Sequence, residues 1–452
     1  MEGNKLTFNQ YLTIGSLIFG MLFGAGNLIF PVHLGQLAGA NWVTAALGFL
    51  TSGVLLPVLG ILAISMTRSR GIYDLARPIG HHYALIFLIL IYATIGPFFA
   101  TPRTATVPFT IGFMPYIPKQ YHSLGLLIYS AIFFGLVYFL SSRESKITAL
   151  IGKLLNPVFL LMLLMIFLLA FSTPLAPASK APITSEYINQ AFSSGLLQGY
   201  NTMDVLASLA FGITVVTSVK QFGLKDEKQI ALATAKGGSF GILSIGVLYV
   251  ALILLGAQSI STFGLADNGG TTLTQISNYY MGTFGNALLA TLTTITCLST
   301  SMGLVVACSQ AFHQRFNKIS YKAMLLLNCL LSFAIANLGL DKIIAWSLPV
   351  LMFLYPLAIT LVLLGISSPL FENDKIIYQT TTLFTIVPAI FDLINALPES
   401  LKNASFNQSL LNFAKDHFPF FEFGFGWLCF SIVGLILGII IHFFRRNNLK
   451  QA

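Results

Sequence analysis

Apolar stretches long enough to cross a bilayer recur from one end of this chain to the other, and that repetition excludes most folds before any motif is read. Of 452 residues, 56% are hydrophobic and 9% charged, against roughly 25% charged in a soluble domain. Lipid cannot hydrogen-bond an open backbone, so a chain of this kind folds as helices whose peptide groups satisfy one another. The expectation is an all-α membrane protein with twelve transmembrane helices, near 8–37, 41–66, 82–113, 122–141, 147–172, 187–219, 229–258, 282–312, 322–338, 343–366, 376–397 and 424–444. The connections near 173–186, 259–281 and 398–423 are loop-sized, and no extended soluble domain is expected.

The net charge of +9 would suggest nucleic acid in a soluble protein. Its distribution points elsewhere. With the connections assigned alternately to two sides, eighteen of the 24 Lys and Arg, among them Lys5, Arg143, Lys146 and Lys225, fall on the side of the termini. Five fall on the other side, and Arg103 lies within a span. Such a bias predicts a multi-pass protein with cytoplasmic N- and C-termini. The basic charge then serves topology, with a minor contribution to anionic headgroups and no nucleic-acid partner. The first apolar region is too long for a cleaved signal peptide, despite the small residues "LAGA" at 37–40. All four cysteines (Cys297, Cys308, Cys329, Cys429) lie in predicted spans, so no disulfide framework is implied. The histidines show no zinc spacing, and no phosphate-binding loop is present. The chain is expected to be no enzyme and to carry no cofactor.

The first span contains "FGMLFGAGNLIFP" (19–31), with Gly24 and Gly26 at its centre and Asn27 directly after. Glycines in a membrane helix commonly allow close packing, and Gly20 with Gly24 forms a GxxxG pair. A second interrupted span argues for more than packing. "LLQGYNTMDVLASLAFG" (196–212) brings Gln198, Gly199, Asn201, Thr202 and Asp204 to membrane depth. The two breaks lie in spans one and six, which are equivalent positions if ten spans are divided five plus five. Span one runs outward and span six inward, so the halves are inverted: 1–172 for spans one to five, 187–366 for spans six to ten, with 376–444 outside the repeat. Paired breaks in inverted halves are a sequence pointer to a transporter's midplane site.

An opened helix near 23–27 frees the amides of Ala25, Gly26 and Asn27 to face an anion such as a carboxylate. The carbonyls from Gly20 to Phe23 face a cation, as do those near Leu197 to Tyr200 in span six. An α-amino acid with a coupling sodium ion fits such a site. In span eight, "TTITCLSTSMG" (293–303) offers Thr296, Ser299 and Thr300 on one face as hard oxygen ligands, although hydroxyls also bond back to their own helix. Arg103, in "IGPFFATPRTATVPF" (95–109), is expected to face protein or water. Asp204, of opposite charge, is a candidate partner. Asp392 in span eleven lies outside the two halves and is unassigned.

Three stretches, "FGAGNLIFP" (23–31), "GPFFATPRTA" (96–105) and "GYNTMDVLASLAFG" (199–212), resemble signatures of the branched-chain amino acid:cation symporters, and the resemblance runs over essentially the whole chain. It implies the LeuT-like five-plus-five inverted-repeat fold with broken helices 1 and 6 and two extra helices. It also implies uptake of leucine, isoleucine and valine across a bacterial inner membrane, by symport with sodium in many members and protons in some. The implied substrate site comprises Gly24, Ala25, Gly26, Asn27, Gly199, Tyr200, Thr202 and Asp204, with Phe98 and Phe99 as walls for an apolar side chain. The implied sodium site comprises the carbonyls of Gly20 and Phe23 with Thr296, Ser299 and Thr300. Asn201 stands where the family pattern has leucine, so its side chain is not expected to hold an ion. Three other readings compete: a proton-coupled carrier using Asp204, an ion channel, and a membrane enzyme or receptor. The last two lack their marks, namely repeated acidic rings and a buried cluster of His, Cys or carboxylates.

Overall fold

The computed structural model describes residues 6–142, 147–224, 226–316 and 318–451; Lys5, Arg143, Lys146 and Lys225 of the basic set lie outside the described residues. The chain is all-helical among these, and eight helical stretches are long and apolar enough to cross a membrane. It opens with α1 (Phe8–Leu22), whose end is closed by a reciprocal cap: the Thr7 amide donates to Gln10 Oε1 at 2.8 Å and the Gln10 amide to Thr7 Oγ1 at 3.4 Å. Next come α2 (Ala25–Ala38), α3 (Trp42–Leu50) and α4 (Leu56–Met66), the last two joined by a π-helical turn over Thr51–Leu55. Then follow α5 (His81–Ala93), α6 (Ala100–Gly112), α7 (His122–Ser142) and α8 (Ile147–Ser172).

The second half contains α9 (Ala191–Tyr200), α10 (Asp204–Lys220), α11 (Glu227–Phe263), α12 (Gly269–Arg315), α13 (Tyr321–Ala336) and α14 (Leu340–Ser367). The chain closes with α15 (Lys375–Asn395), α16 (Ser405–His417) and α17 (Gly426–Gln451).

Both expected breaks are present. α1 gives way to α2 through extended backbone at Phe23 and Gly24, and α9 to α10 through a turn ending in Met203, whose φ of 62° is left-handed. A third break was not anticipated. Between α5 and α6 a π-helical turn covers Thr94–Phe98, and Gly96 there leaves helical geometry at φ −87°, ψ −119°. The Gly96–Pro97 pair is the local cause, because Pro97 can offer no amide to the helix ladder. Two connections read as loops are largely helical. α12 begins at Gly269 and turns at Gly282 (φ 61°, open to glycine but strained for other residues) before crossing, and α16 lies in the stretch after α15.

The broken helices sit inside the bundle. α1 and α2 pack on α11, while α9 packs on α3 and α10 on α4. α6 packs on α12, α7 on α13, α8 on α12, and α14 on α6 and α4. Close approach at several of these contacts rests on glycine. A Cβ at Gly35 would lie 2.0 Å from the Ile253 carbonyl oxygen, and one at Gly256 2.0 Å from that of Val32. Gly135 in α7 has nothing within 4 Å. Gly35→Ala is therefore expected to lower the thermal unfolding midpoint of the purified protein markedly, as overpacking of a rigid contact costs about 1–3 kcal/mol. Gly135→Ala, measured beside it, should leave the midpoint unchanged or raise it.

Candidate functional site

The two breaks meet at a small cavity. Its walls are Gly24, Ala25, Gly26 and Asn27 from the first break, Thr202, Met203 and Asp204 from the second, Arg103 from α6 and Thr300 from α12. Apolar side chains complete it, among them Ile95, Ala207, Phe211 and Leu304. Ala207 and Phe211 follow Asp204 at helical spacing, so α10 presents its acid and its apolar wall on one face.

At the first break, the Gly24 amide would bond the Gly20 carbonyl if the helix continued. It donates instead to Asn27 Oδ1 at 2.8 Å. The amides of Ala25 and Gly26 open a new helix and have no carbonyl four residues back within it. Asn27 also reaches the second break: its Nδ2 donates to Asp204 Oδ2 at 2.8 Å and contacts the Tyr249 hydroxyl. Tyr249, in α11, donates to the same Asp204 oxygen at 2.8 Å. One carboxylate thus ties α2, α10 and α11 together, with Asn27 and Asp204 each 2% exposed.

At the second break, the chain closes on itself. The Thr202 amide and hydroxyl both donate to the Gly199 carbonyl, at 3.2 and 2.9 Å, and the Met203 amide donates to that of Tyr200 at 3.0 Å. The Asn201 carbonyl is held from outside by Arg103 Nη1 at 2.8 Å. Arg103 Nη2 donates to Ser347 Oγ of α14, and the guanidinium lies 5.0 Å over the Phe30 ring. Arg103 Nε has no hydrogen-bond partner among the described residues. Arg103 and Asp204 make no ion pair; each is bound to a different break.

Several expected residues are not brought to this cavity. Phe98 is 42% exposed and lines a separate groove, and Phe99 is absent from the cavity walls, because the break at Gly96 turns both away and presents Ile95, Ala100 and Arg103 instead. Gly199 packs on α3: a Cβ there would meet Ser52 Oγ at 2.0 Å. Tyr200 stacks on Tyr355 with ring centroids 3.9 Å apart, behind the cavity rather than in it.

Of the residues expected to hold sodium, Thr300 lines the cavity, with its hydroxyl bonded back to the Thr296 carbonyl at 3.1 Å. Thr296 Oγ1 is buried without a hydrogen-bond partner among the described residues. Ser299 is half-buried and Gly20 exposed, and neither lines the cavity, nor does Phe23, which stacks on Phe19. Exposure of Gly20 removes the GxxxG packing explanation for Gly24. A Cβ on Gly24 would meet a Thr300 methyl at 3.1 Å, and one on Gly26 the Phe30 ring at 3.3 Å and the Asn201 carbonyl oxygen at 3.7 Å, so the nearest neighbours of both glycines are side chains. Asp392 lies elsewhere, 1% exposed beside Gly426, and neither of its carboxyl oxygens has a hydrogen-bond partner among the described residues.

Two members of the site, Tyr249 and Ser347, were not legible in the sequence. Each is a single polar group within an apolar run and reads as ordinary core. The cavity itself holds about 50 Å³, one or two waters at about 30 Å³ each. Any larger solute requires its walls to part. Tyr249→Phe removes one donor from the Asp204 carboxylate, a hydrogen bond to a charged group worth about 1.5–3 kcal/mol. The purified variant is expected to lose stability on that scale, seen as a lower thermal unfolding midpoint than that of the wild type.

The family model described as branched-chain amino acid transport protein matches residues 7–445. The chain is 43% identical over 438 residues to the branched-chain amino acid permease BrnQ of Lactobacillus delbrueckii subsp. lactis, covering 96% of this chain and 97% of the relative. It is 37% identical over 446 residues to the permease of the same name from Bacillus subtilis (98% and 99% covered), and 35% over 430 residues to the branched-chain amino acid transport system 2 carrier protein of Pseudomonas aeruginosa (95% of each). Among solved structures it is similar to a nucleobase-cation-symport-1 family transporter in a closed conformation with bromovinylhydantoin bound. That likeness has a TM-score of 0.61 at 12% identity and covers 95% of this chain and 91% of the other.

Proposed function

The chain belongs to the branched-chain amino acid transport protein family, and from that premise we propose that it is a sodium-coupled symporter importing leucine, isoleucine and valine across a bacterial inner membrane. It is an integral membrane transporter and not an enzyme. The observation that carries the substrate reading is the pairing of charges in one apolar cavity: Arg103 and Asp204 line it together with Ile95, Ala207, Phe211 and Leu304. A zwitterion with a short hydrocarbon side chain matches that set. Its carboxylate would take the amides of Ala25 and Gly26 and the Arg103 guanidinium, and its ammonium the Asp204 carboxylate and the carbonyls at the breaks.

The proposed architecture is twelve spans with both termini cytoplasmic, five-plus-five, with 1–172 and 187–366 as inverted repeats and 376–444 outside them. The packing pattern supports it. Exchanging each span with the one five places on converts the contact of span one with seven (α1 and α2 on α11) into that of six with two (α9 on α3, α10 on α4). It likewise exchanges α8–α12 with α14–α6, and leaves α6–α12 and α7–α13 as they are. The proposed sodium ligands are the Gly20 and Phe23 carbonyls with Thr296, Ser299 and Thr300. The partnerless Thr296 hydroxyl favours that assignment, and the exposure of Gly20 requires the inner half-helix to shift toward α12 on binding. One sodium ion crossing 100 mV contributes about 2.3 kcal/mol, enough for roughly fiftyfold accumulation.

Proton coupling is the second reading, since Asp204 is a buried carboxyl at the centre of the site. Radiolabelled leucine uptake into proteoliposomes decides between them. Accumulation under an inward sodium gradient, competed by isoleucine and valine but not by lysine, supports the proposal. Uptake indifferent to sodium and driven by a pH gradient moves the coupling to protons, and no leucine uptake under either gradient rejects the substrate assignment. Gly26→Leu, whose side chain would fill the space before Phe30 and the Asn201 carbonyl, is expected to abolish leucine binding while the protein still inserts and purifies.

A further inference from the structure

A groove of about 750 Å³ lies apart from the cavity at the two breaks, between α5, the third break, the end of α12 and α13. Its rim is exposed and apolar, with Phe98, Phe316, Leu327 and Leu331 each 37–50% exposed. Its floor is buried and includes Pro97, Cys308 and Ser309. Among the described residues no acidic side chain lines it, while Arg315 and Lys318, three residues apart at and just beyond the end of α12, both do. Neither cation makes an ion pair or hydrogen bond among the described residues. Arg315 lies face-on over Tyr73, 4.1 Å from guanidinium carbon to ring centroid, which leaves its edge donors available.

A second observation lies inside the groove. Ser309 is 1% exposed, and its hydroxyl has no hydrogen-bond partner among the described residues. Six residues of helix separate it from Arg315, so it sits about 9 Å deeper. Headgroup and ester regions occupy roughly 5–8 Å on each side of the hydrocarbon core, so a phosphate held at Arg315 would bring ester carbonyls toward the Ser309 hydroxyl and acyl chains onto the apolar rim.

We propose that this groove binds one anionic phospholipid, with its phosphate on Arg315 and Lys318 and an acyl chain lying over Phe98 against Leu327 and Leu331. The inference rests on the chain spanning a membrane and not on its substrate. Its structural effect is local: the groove floor is where the third break meets α12, a Cβ at Gly96 lying 3.0 Å from Cys308 Sγ. A bound chain therefore braces the segment that starts α6 and carries Arg103.

The test is lipid retention by the full chain, purified and exchanged into mixed micelles of phosphatidylglycerol and phosphatidylcholine, counted by native mass spectrometry. The wild type is expected to retain one phosphatidylglycerol at least about fivefold over phosphatidylcholine, roughly 1 kcal/mol of preference. Arg315→Gln/Lys318→Gln removes the charges, and Leu327→Trp fills the groove from its exposed rim without touching them. Both variants should lose the preference. Equal retention of the two lipids by the wild type, or wild-type retention in either variant, overturns the proposal. The measurement contains no amino acid or ion gradient, so its failure and a failure of leucine transport are separate results.

Discussion

Lipid offers no hydrogen bond to an open peptide group, and the whole architecture follows from how the three broken helices meet that constraint. Each break is closed by a different device. The first is closed by a side chain, Asn27, taking the Gly24 amide that the helix has abandoned. The second is closed by its own backbone in a tight turn, with a left-handed Met203 at its end, a conformation costing about 1–3 kcal/mol for a residue other than glycine. The third is a π-helical turn built around a proline. Such local costs persist only where surrounding structure holds them, and the first two breaks hold each other.

Arg103 shows how charge is kept at this depth. Insertion of an arginine at the centre of a lone helix costs about 2.5–3.5 kcal/mol. Two hydrogen bonds to a charged group, at about 1.5–3 kcal/mol each, offset that, and Arg103 makes them to the Asn201 carbonyl and Ser347. A pair with Asp204 was the simpler expectation from sequence. It would have neutralised both groups and left neither free to orient a break. Instead the arginine fixes the second break and the aspartate the first.

Much of this was legible in the chain because membrane sequence is sparse in polar residues. Gly24, Gly26, Asn27, Arg103 and Asp204 are conspicuous at membrane depth, and all five reach one cavity. What was hidden depended on rotation and depth. Phe98 and Phe99 flank the right segment, but the irregular turn at Gly96 directs them away. Gly199 looks like Gly24 in sequence, yet one meets Ser52 Oγ at 2.0 Å and the other borders the site. Tyr249 is one ring in a long apolar helix, and nothing in its neighbours separates a ligand of Asp204 from core. The expected length of the connection before span eight failed for another reason: Gly269 to Met281 is polar but still helical, and only the positive φ at Gly282 separates it from the crossing segment.

The same hydrogen bonds also set what can move independently. From Ser347 in α14 the chain of contacts runs through Arg103 to the Asn201 carbonyl, from Asp204 three residues on to Asn27, and from Asn27 to the Gly24 amide. Tyr249 adds α11 at the carboxylate. A solute that takes the Asp204 carboxylate competes with Asn27 and Tyr249 for the same oxygen, and so loosens the tie between the breaks as it binds. One that takes the Arg103 guanidinium competes with the Asn201 carbonyl in the same way. A zwitterion bound as proposed would do both at once, replacing direct contacts between the broken helices with contacts through itself. An ion alone, or an uncharged solute, could release only one of the two ties. On the proposed binding mode, coupling between bound solute and helix movement would follow from which atoms the two charges already hold.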